Sequence, residues 1–155
     1  MDKKPILILG LGNLLLKDEG IGVHVVQRIM NMSLPQNVEV LDGGTLGMKL
    51  VYYIENRIKI IVIDAVLIDD QPGTIYRFNG KDLLEGNACQ LFSAHDIDFT
   101  HVLKNAEMFG NAPKEVVFIG IKPEDISPGI ELTPVIEAQI PRIIELVIKE
   151  IEVSK

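Results

Sequence analysis

Ile6-Leu7-Ile8-Leu9-Gly10-Leu11-Gly12-Asn13, running on through Leu14-Leu15-Leu16-Lys17-Asp18-Glu19-Gly20-Ile21-Gly22, is the stretch that decides the fold. Four consecutive apolar residues ending at Gly10 suit a strand covered on both faces, the condition of a parallel sheet's centre. The glycine turn then carries the chain beyond the strand's carboxyl end into an acidic loop that opens a helix. Open parallel sheets bind ligands at that edge, so Asp18 and Glu19 arrive where chemistry concentrates.

Outward from this unit the pattern repeats. Residues 19–32 carry Ile21, Val25, Val26, Ile29 and Met30 at helical spacing, with Asp18 suited to cap the start. Residues 38–42 form a second strand that ends in Gly43-Gly44, and Leu46, Leu50, Val51 and Ile54 mark a following helix face. Residues 58–65 contain Ile60-Ile61-Val62-Ile63 and close on Asp64, a carboxylate at the same sheet edge as Glu19. Pro72-Gly73 signals a turn, and 74–78 alternates as a strand reached by too short a connection for a crossover helix, hence antiparallel at an edge. The pattern is weak over 79–96, helical over 97–109, and strand-like over 116–121. Thr133-Pro134 opens a long helix reaching Ile151, which Pro141 should kink. The sum is an α/β chain, one domain over 1–155: a three-layer sandwich whose twisted, mostly parallel sheet of about five strands carries helices on both faces.

Composition narrows the function. With 155 residues the chain can bury about two-thirds of its unfolded surface. Its 47% hydrophobic content and mean hydropathy of +0.25 fit a sheet covered on both sides. A net charge of -7, with no basic cluster to offset it, repels phosphate backbones and anionic lipid, so neither nucleic acid nor a membrane surface is an expected partner. The single cysteine, Cys89, excludes an internal disulfide and is compatible with a reducing compartment. Lys3-Lys4 followed by residues 5–16 imitates a signal peptide, but Lys17-Asp18-Glu19 stands where a small-residue cleavage site would be, and removal would delete the best strand. No apolar run nears the ~20 residues that span a bilayer. A cytoplasmic monomer is expected.

Gly10-Leu11-Gly12 with Asp42 imitates the opening of a dinucleotide-binding unit. The third glycine of that motif falls on Leu15, and Asp18 and Glu19 would face the pyrophosphate, so nucleotide binding fits poorly. Glu19, Asp64 and His95 make a better set. The first two belong to the carboxyl ends of neighbouring strands, and His95 precedes a helix packed beside them. Two carboxylates and an imidazole can hold a divalent metal of mixed hard and borderline character and leave positions open for water or substrate. Read separately, the same residues are a helix-dipole partner, a loop cap and a turn histidine. His101 lies six positions beyond His95, off the spacing that shares a helix face, and like His24 reads as an ordinary helix residue. Nothing near Cys89 would activate its thiol toward His95 chemistry.

Gly10-Leu11-Gly12-Asn13, Asp18-Glu19-Gly20-Ile21-Gly22, Asp42-Gly43-Gly44-Thr45-Leu46-Gly47, Asp64-Ala65, Ser93-Ala94-His95 and Leu132-Thr133-Pro134 together resemble the hydrogenase maturation endopeptidases, in the same order and nearly end to end. The resemblance implies a twisted sheet with helices on both faces. It also implies an endopeptidase that trims the C-terminal extension from the large-subunit precursor of a nickel-iron hydrogenase. The metal-contacting positions of that family fall on Glu19, Asp64 and His95. The metal implied is nickel already carried by the precursor, with another divalent ion possible at the same place. Asp42 also matches a family position, and its place at the second strand's end suits it to orient the peptide or a water. Asp96 and Asp98 add negative charge around His95, able to raise its pKa or steer a basic tail. Two readings from other classes stand beside this one: a non-catalytic chaperone that checks nickel loading, and a nucleotide-binding protein.

Overall fold

The computed structural model describes residues 3–44, 46–84 and 94–153, without the side chains of residues 83, 84 and 94–98. Five strands form one sheet in the order β2-β1-β3-β5-β4. They are β1 (Ile6–Leu11), β2 (Val38–Gly44), β3 (Lys59–Ala65), β4 (Ile75–Asn79) and β5 (Glu115–Ile121). All neighbours run parallel except β4, which is antiparallel to β5 at the edge, as the short connection requires. Every residue of β1 and β3 is buried, which explains their unbroken apolar runs.

Alternation along the strands sorts the core into two layers. Ile6, Ile8, Ile61 and Ile63 face α1 (Ile21–Ile29) and α6 (Ile140–Glu152). Leu7, Leu9, Ile60 and Val62 face the other side, with α2 (Leu50–Ile54) and α4 (Ala94–Met108). Two short helices, α3 (Gly80–Leu84) and α5 (Pro134–Glu137), complete the described elements. The three-layer α/β arrangement is the expected one.

Four local expectations change. The chain from Pro134 to Glu152 is two helices, with a break at Ala138 and Gln139. Pro141 lies in the first turn of α6, where its missing N–H costs nothing, so a kink becomes a fresh start. The helix expected from residue 97 begins at Ala94, and the one expected after Gly44 is a 3-10 turn over Gly47–Lys49 followed by the five residues of α2. Asp18 does not cap α1. The N-cap position is Gly20, with no side-chain cap, and Asp18 belongs to a 3-10 turn, Lys17–Gly20, and faces elsewhere.

Close backbone contact fixes α1 on the sheet. A Cβ on Gly22 would lie 2.0 Å from the Ile63 carbonyl oxygen, and one on Gly10 would lie 2.3 Å from that of Gly22. The intimate helix–strand approach that a dinucleotide fold assigns to its third glycine is therefore made by Gly22, and residues 13–20 are an insertion before it. At the opposite pole Lys59, 1% exposed, donates to the Glu150 carboxylate at 2.9 Å and to the Glu150 carbonyl at 3.0 Å, tying α6 to the sheet.

Candidate functional site

The site is built at the carboxyl ends of β1 and β3. Gly12 has φ +123°, a conformation L side chains rarely adopt, and a Cβ there would lie 2.0 Å from the Glu19 carbonyl oxygen and 3.3 Å from Asp64 Oδ1. Gly12 is thus the common neighbour that brings the Glu19 turn against the Asp64 carboxylate. Glu19 is 7% exposed and Asp64 0%. Asp64 Oδ1 accepts the Ala65 amide at 2.8 Å, which fixes its rotamer. Contact with such a carboxylate requires a ligand inserted into the rim rather than laid across it.

Alternation places Asp64 on the layer of Ile60 and Val62, the face covered by Phe99, Val102 and Leu103 of α4. His95 is the second residue of that helix, so the backbone carries it on the same side of the sheet as Asp64. Its side chain lies outside the described residues, as do Cys89, Ser93 and Thr45 and the side chains of Asp96 and Asp98. Among the described side chains no three His, Cys, Asp or Glu groups gather into a metal site. Asp42 pairs with Gly10 across the β1–β2 ladder and shares the α1 face, opposite to Asp64. It lines a cleft of about 200 Å³ with Gly12, Asn13, Leu14, Val23 and Gly44. Gly12 therefore stands between the Glu19–Asp64 pair and the Asp42 cleft.

What holds the Glu19 turn is a feature the sequence reading did not find. Asp18 is 0% exposed and its carboxylate accepts four hydrogen bonds from the loop after β5: Glu124 N and Asp125 N at 3.0 Å, and Thr133 N and Oγ1 at 2.8 Å. Leu15 and Lys17 exchange backbone hydrogen bonds with Gly129 at 2.9 and 3.0 Å. Lys17 Nζ meets Asp125 at 2.9 Å. Ser127, through both its hydroxyl and its amide, and then Lys17 hold the Asp125 carboxyl well below the usual carboxylate range. The sequence-level traces of this brace are the Asp18-Glu19 and Leu132-Thr133-Pro134 motifs, which lie more than a hundred residues apart.

His24 and His101 are helix residues, as expected. His101 is exposed. His24 is half-buried, and its Nε2 is buried without a hydrogen-bond partner among the described residues. Burial pushes its pKa below the usual histidine value. Among the described residues no helix is long and apolar enough to cross a membrane.

Comparison with known proteins agrees with this architecture. A family model described as hydrogenase maturation protease matches residues 23–150. The hydrogenase 2 maturation protease of Escherichia coli is 36% identical over 151 residues, covering 96% of this chain and 92% of that protein. The solved structure of the hydrogenase maturating endopeptidase HybD from E. coli superposes with a TM-score of 0.90 at 36% identity, over 96% of this chain and 93% of that one. The [NiFe] hydrogenase maturation protease HybD from Thermococcus kodakarensis gives 0.77 at 31% identity, over 93% and 97%. A family match over most of the chain and a fold shared nearly end to end with these enzymes make this chain a member of the hydrogenase maturation protease family, which hydrolyses peptide bonds.

Proposed function

We propose that the chain works as a single α/β domain that removes the C-terminal extension from a nickel-iron hydrogenase large-subunit precursor once nickel is in place. Glu19, Asp64 and His95 contact the nickel carried by that client. The metal is cargo of the substrate, so cleavage is conditional on loading. Two carboxylates and an imidazole are a donor set suited to such an ion, and the contact aligns the adjacent peptide bond for attack by water, a gain chiefly of orientation. Asp42, in its cleft beyond Gly12, orients the peptide or the attacking water.

The observation that carries this reading is the packing of the Glu19 turn and the Asp64 carboxylate against Gly12, on the side of the sheet where α4 brings His95. The test is mass spectrometry of a large-subunit precursor incubated with the purified chain, with nickel and without. Trimming of the loaded form alone supports the reading. Equal trimming of both forms removes the metal from recognition, and trimming of neither leaves a non-catalytic role.

A further inference from the structure

The site contacts at most a metal and one bond, yet a client tail must be held while it is cut, and the open edge of the sheet beside the site is built to hold one. β2 is the terminal strand on its side of the sheet. Ile6 N–H donates to the Asn37 carbonyl at 3.2 Å, so Asn37, Glu39 and Leu41 turn their backbone groups toward β1, and Val38, Val40 and Asp42 turn theirs outward. Val38 is already engaged: its N–H reaches the Pro35 carbonyl at 3.1 Å and its carbonyl accepts from Lys4 Nζ at 3.4 Å. Val40 and Asp42 carry the outward N–H and C=O groups that no other described strand meets.

Lysine and proline are the commonest guards of an exposed edge, and residues 38–44 contain neither; of their two charges Glu39 is paired with Arg57 and Asp42 lies at the cleft, so the edge at Val40 carries no guard of its own. The edge also leads somewhere. The β1–β2 register shifts between Gly10 and Leu11, a bulge that re-aims the strand end, and Gly44 follows, where a side chain would meet only Asp42 Oδ1, at 3.3 Å, so none bars passage toward Gly12. Asp42 and Gly44 line the cleft at that point, which has room for one side chain of an incoming peptide.

We propose that the client's C-terminal extension binds as an added strand on β2, hydrogen-bonded to the outward backbone groups of Val40 and Asp42, and is led across Gly43-Gly44 to the rim where Glu19 and Asp64 sit. The inference rests on the peptidase reading given above and names how its substrate is held. Recognition is then largely through main chain, with side-chain selection confined to the Asp42 cleft.

Proline is the decisive substitution, because at an outward-facing edge position it deletes one docking donor and leaves the ladder to β1 intact. Val40→Pro should weaken binding of a peptide spanning the extension of a nickel-iron hydrogenase large subunit at least about five-fold. The loss should appear in KM for the loaded precursor, with kcat nearly kept. Val40→Ala removes the side chain while keeping the amide, so the difference between the two variants isolates the hydrogen bond. Amide exchange on the parent protein gives a measure independent of folding in either variant: Val40 and Asp42 should become protected when the peptide binds. Unprotected Val40 and Asp42 amides in the complex, or equal KM for the proline and alanine variants, overturn the docking mode while leaving the peptidase reading intact. A parent protein that cuts no precursor overturns both.

Discussion

The Asp18 carboxylate accepts two hydrogen bonds from Thr133, one from its amide and one from its hydroxyl, each at 2.8 Å across 115 positions of sequence. Buried and completed by two more amides, this acceptor holds the turn on which Glu19 stands. Thr133→Val should lower stability by about 1–3 kcal/mol, the cost of one buried hydrogen bond to a charged group. Asp18→Asn should cost more, since its amide hydrogens would face donors. Thermal melts measure both, and cleavage should fall further with Asp18→Asn than a stability-matched core variant predicts.

Gly12 and Gly110 separate crowding from backbone strain. Both have positive φ, +123° and +74°, but a Cβ on Gly110 meets nothing within 4 Å. Gly110→Ala should therefore cost only the left-handed penalty of about 1–2 kcal/mol. Gly12→Ala must also displace the Glu19 carbonyl, and should abolish trimming even where the protein stays folded at low temperature. Circular dichroism with the mass-spectrometric assay distinguishes the two outcomes.

The Lys59–Glu150 pair predicts acid sensitivity remote from the site. Burial works to raise the Glu150 carboxyl, but hydrogen bonds from Arg77 and Lys59 outweigh it and hold the group below its ordinary value. The stability it contributes is present above the unfolded carboxylate value of about 4.3 and is lost as pH falls through the lower folded value. Glu150→Ala should destabilise by about 3 kcal/mol at pH 7, because it leaves buried Lys59 with the main-chain carbonyl of residue 150 at 3.0 Å and, for a counter-charge, Glu115 at 3.6 Å. Lys59→Met with Glu150→Leu should recover most of that loss in a denaturant titration.

His24 predicts a second pH window. Burial lowers its pKa, opposed by Glu137, reinforced by Arg28 and opposed again by Asp18. The unfolded chain therefore binds the proton more readily, and stability falls as pH drops from about 6.5 toward the lower folded value. His24→Leu should flatten the change in Tm between roughly pH 7 and pH 5. An unchanged slope would remove His24 as its source.

The elements legible in sequence were those whose signal is local. Ile6 to Leu9 and Ile60 to Ile63 are apolar without a break because both sheet faces are covered, and the edge strand β4 followed from a connection too short for a helix. Asp18 was misread because a cap and a long-range brace need the same residue at the same place, and only the 124–133 loop decides between them. Gly22 carries no local mark of its approach to the Ile63 carbonyl, which only the packing of α1 on β3 reveals. Lys59, a charge in a buried strand, has a partner 91 positions away and no periodic mark. For the candidate site, the position of Glu19 in the turn after β1 and of Asp64 at the end of β3 was readable from the strand pattern. That Asp42 lies on the opposite face of the sheet from Asp64 required the register.

The central claim is that Glu19, Asp64 and His95 act on metal delivered by the client. Its most direct measurement is trimming of nickel-loaded large-subunit precursor by Glu19→Ala, Asp64→Ala and His95→Ala, followed by mass spectrometry with the fold checked by circular dichroism. The account predicts folded proteins, an untrimmed loaded precursor in all three, and no trimming of the empty precursor by the parent. Normal trimming by the three variants, or parent trimming that ignores nickel, would contradict it.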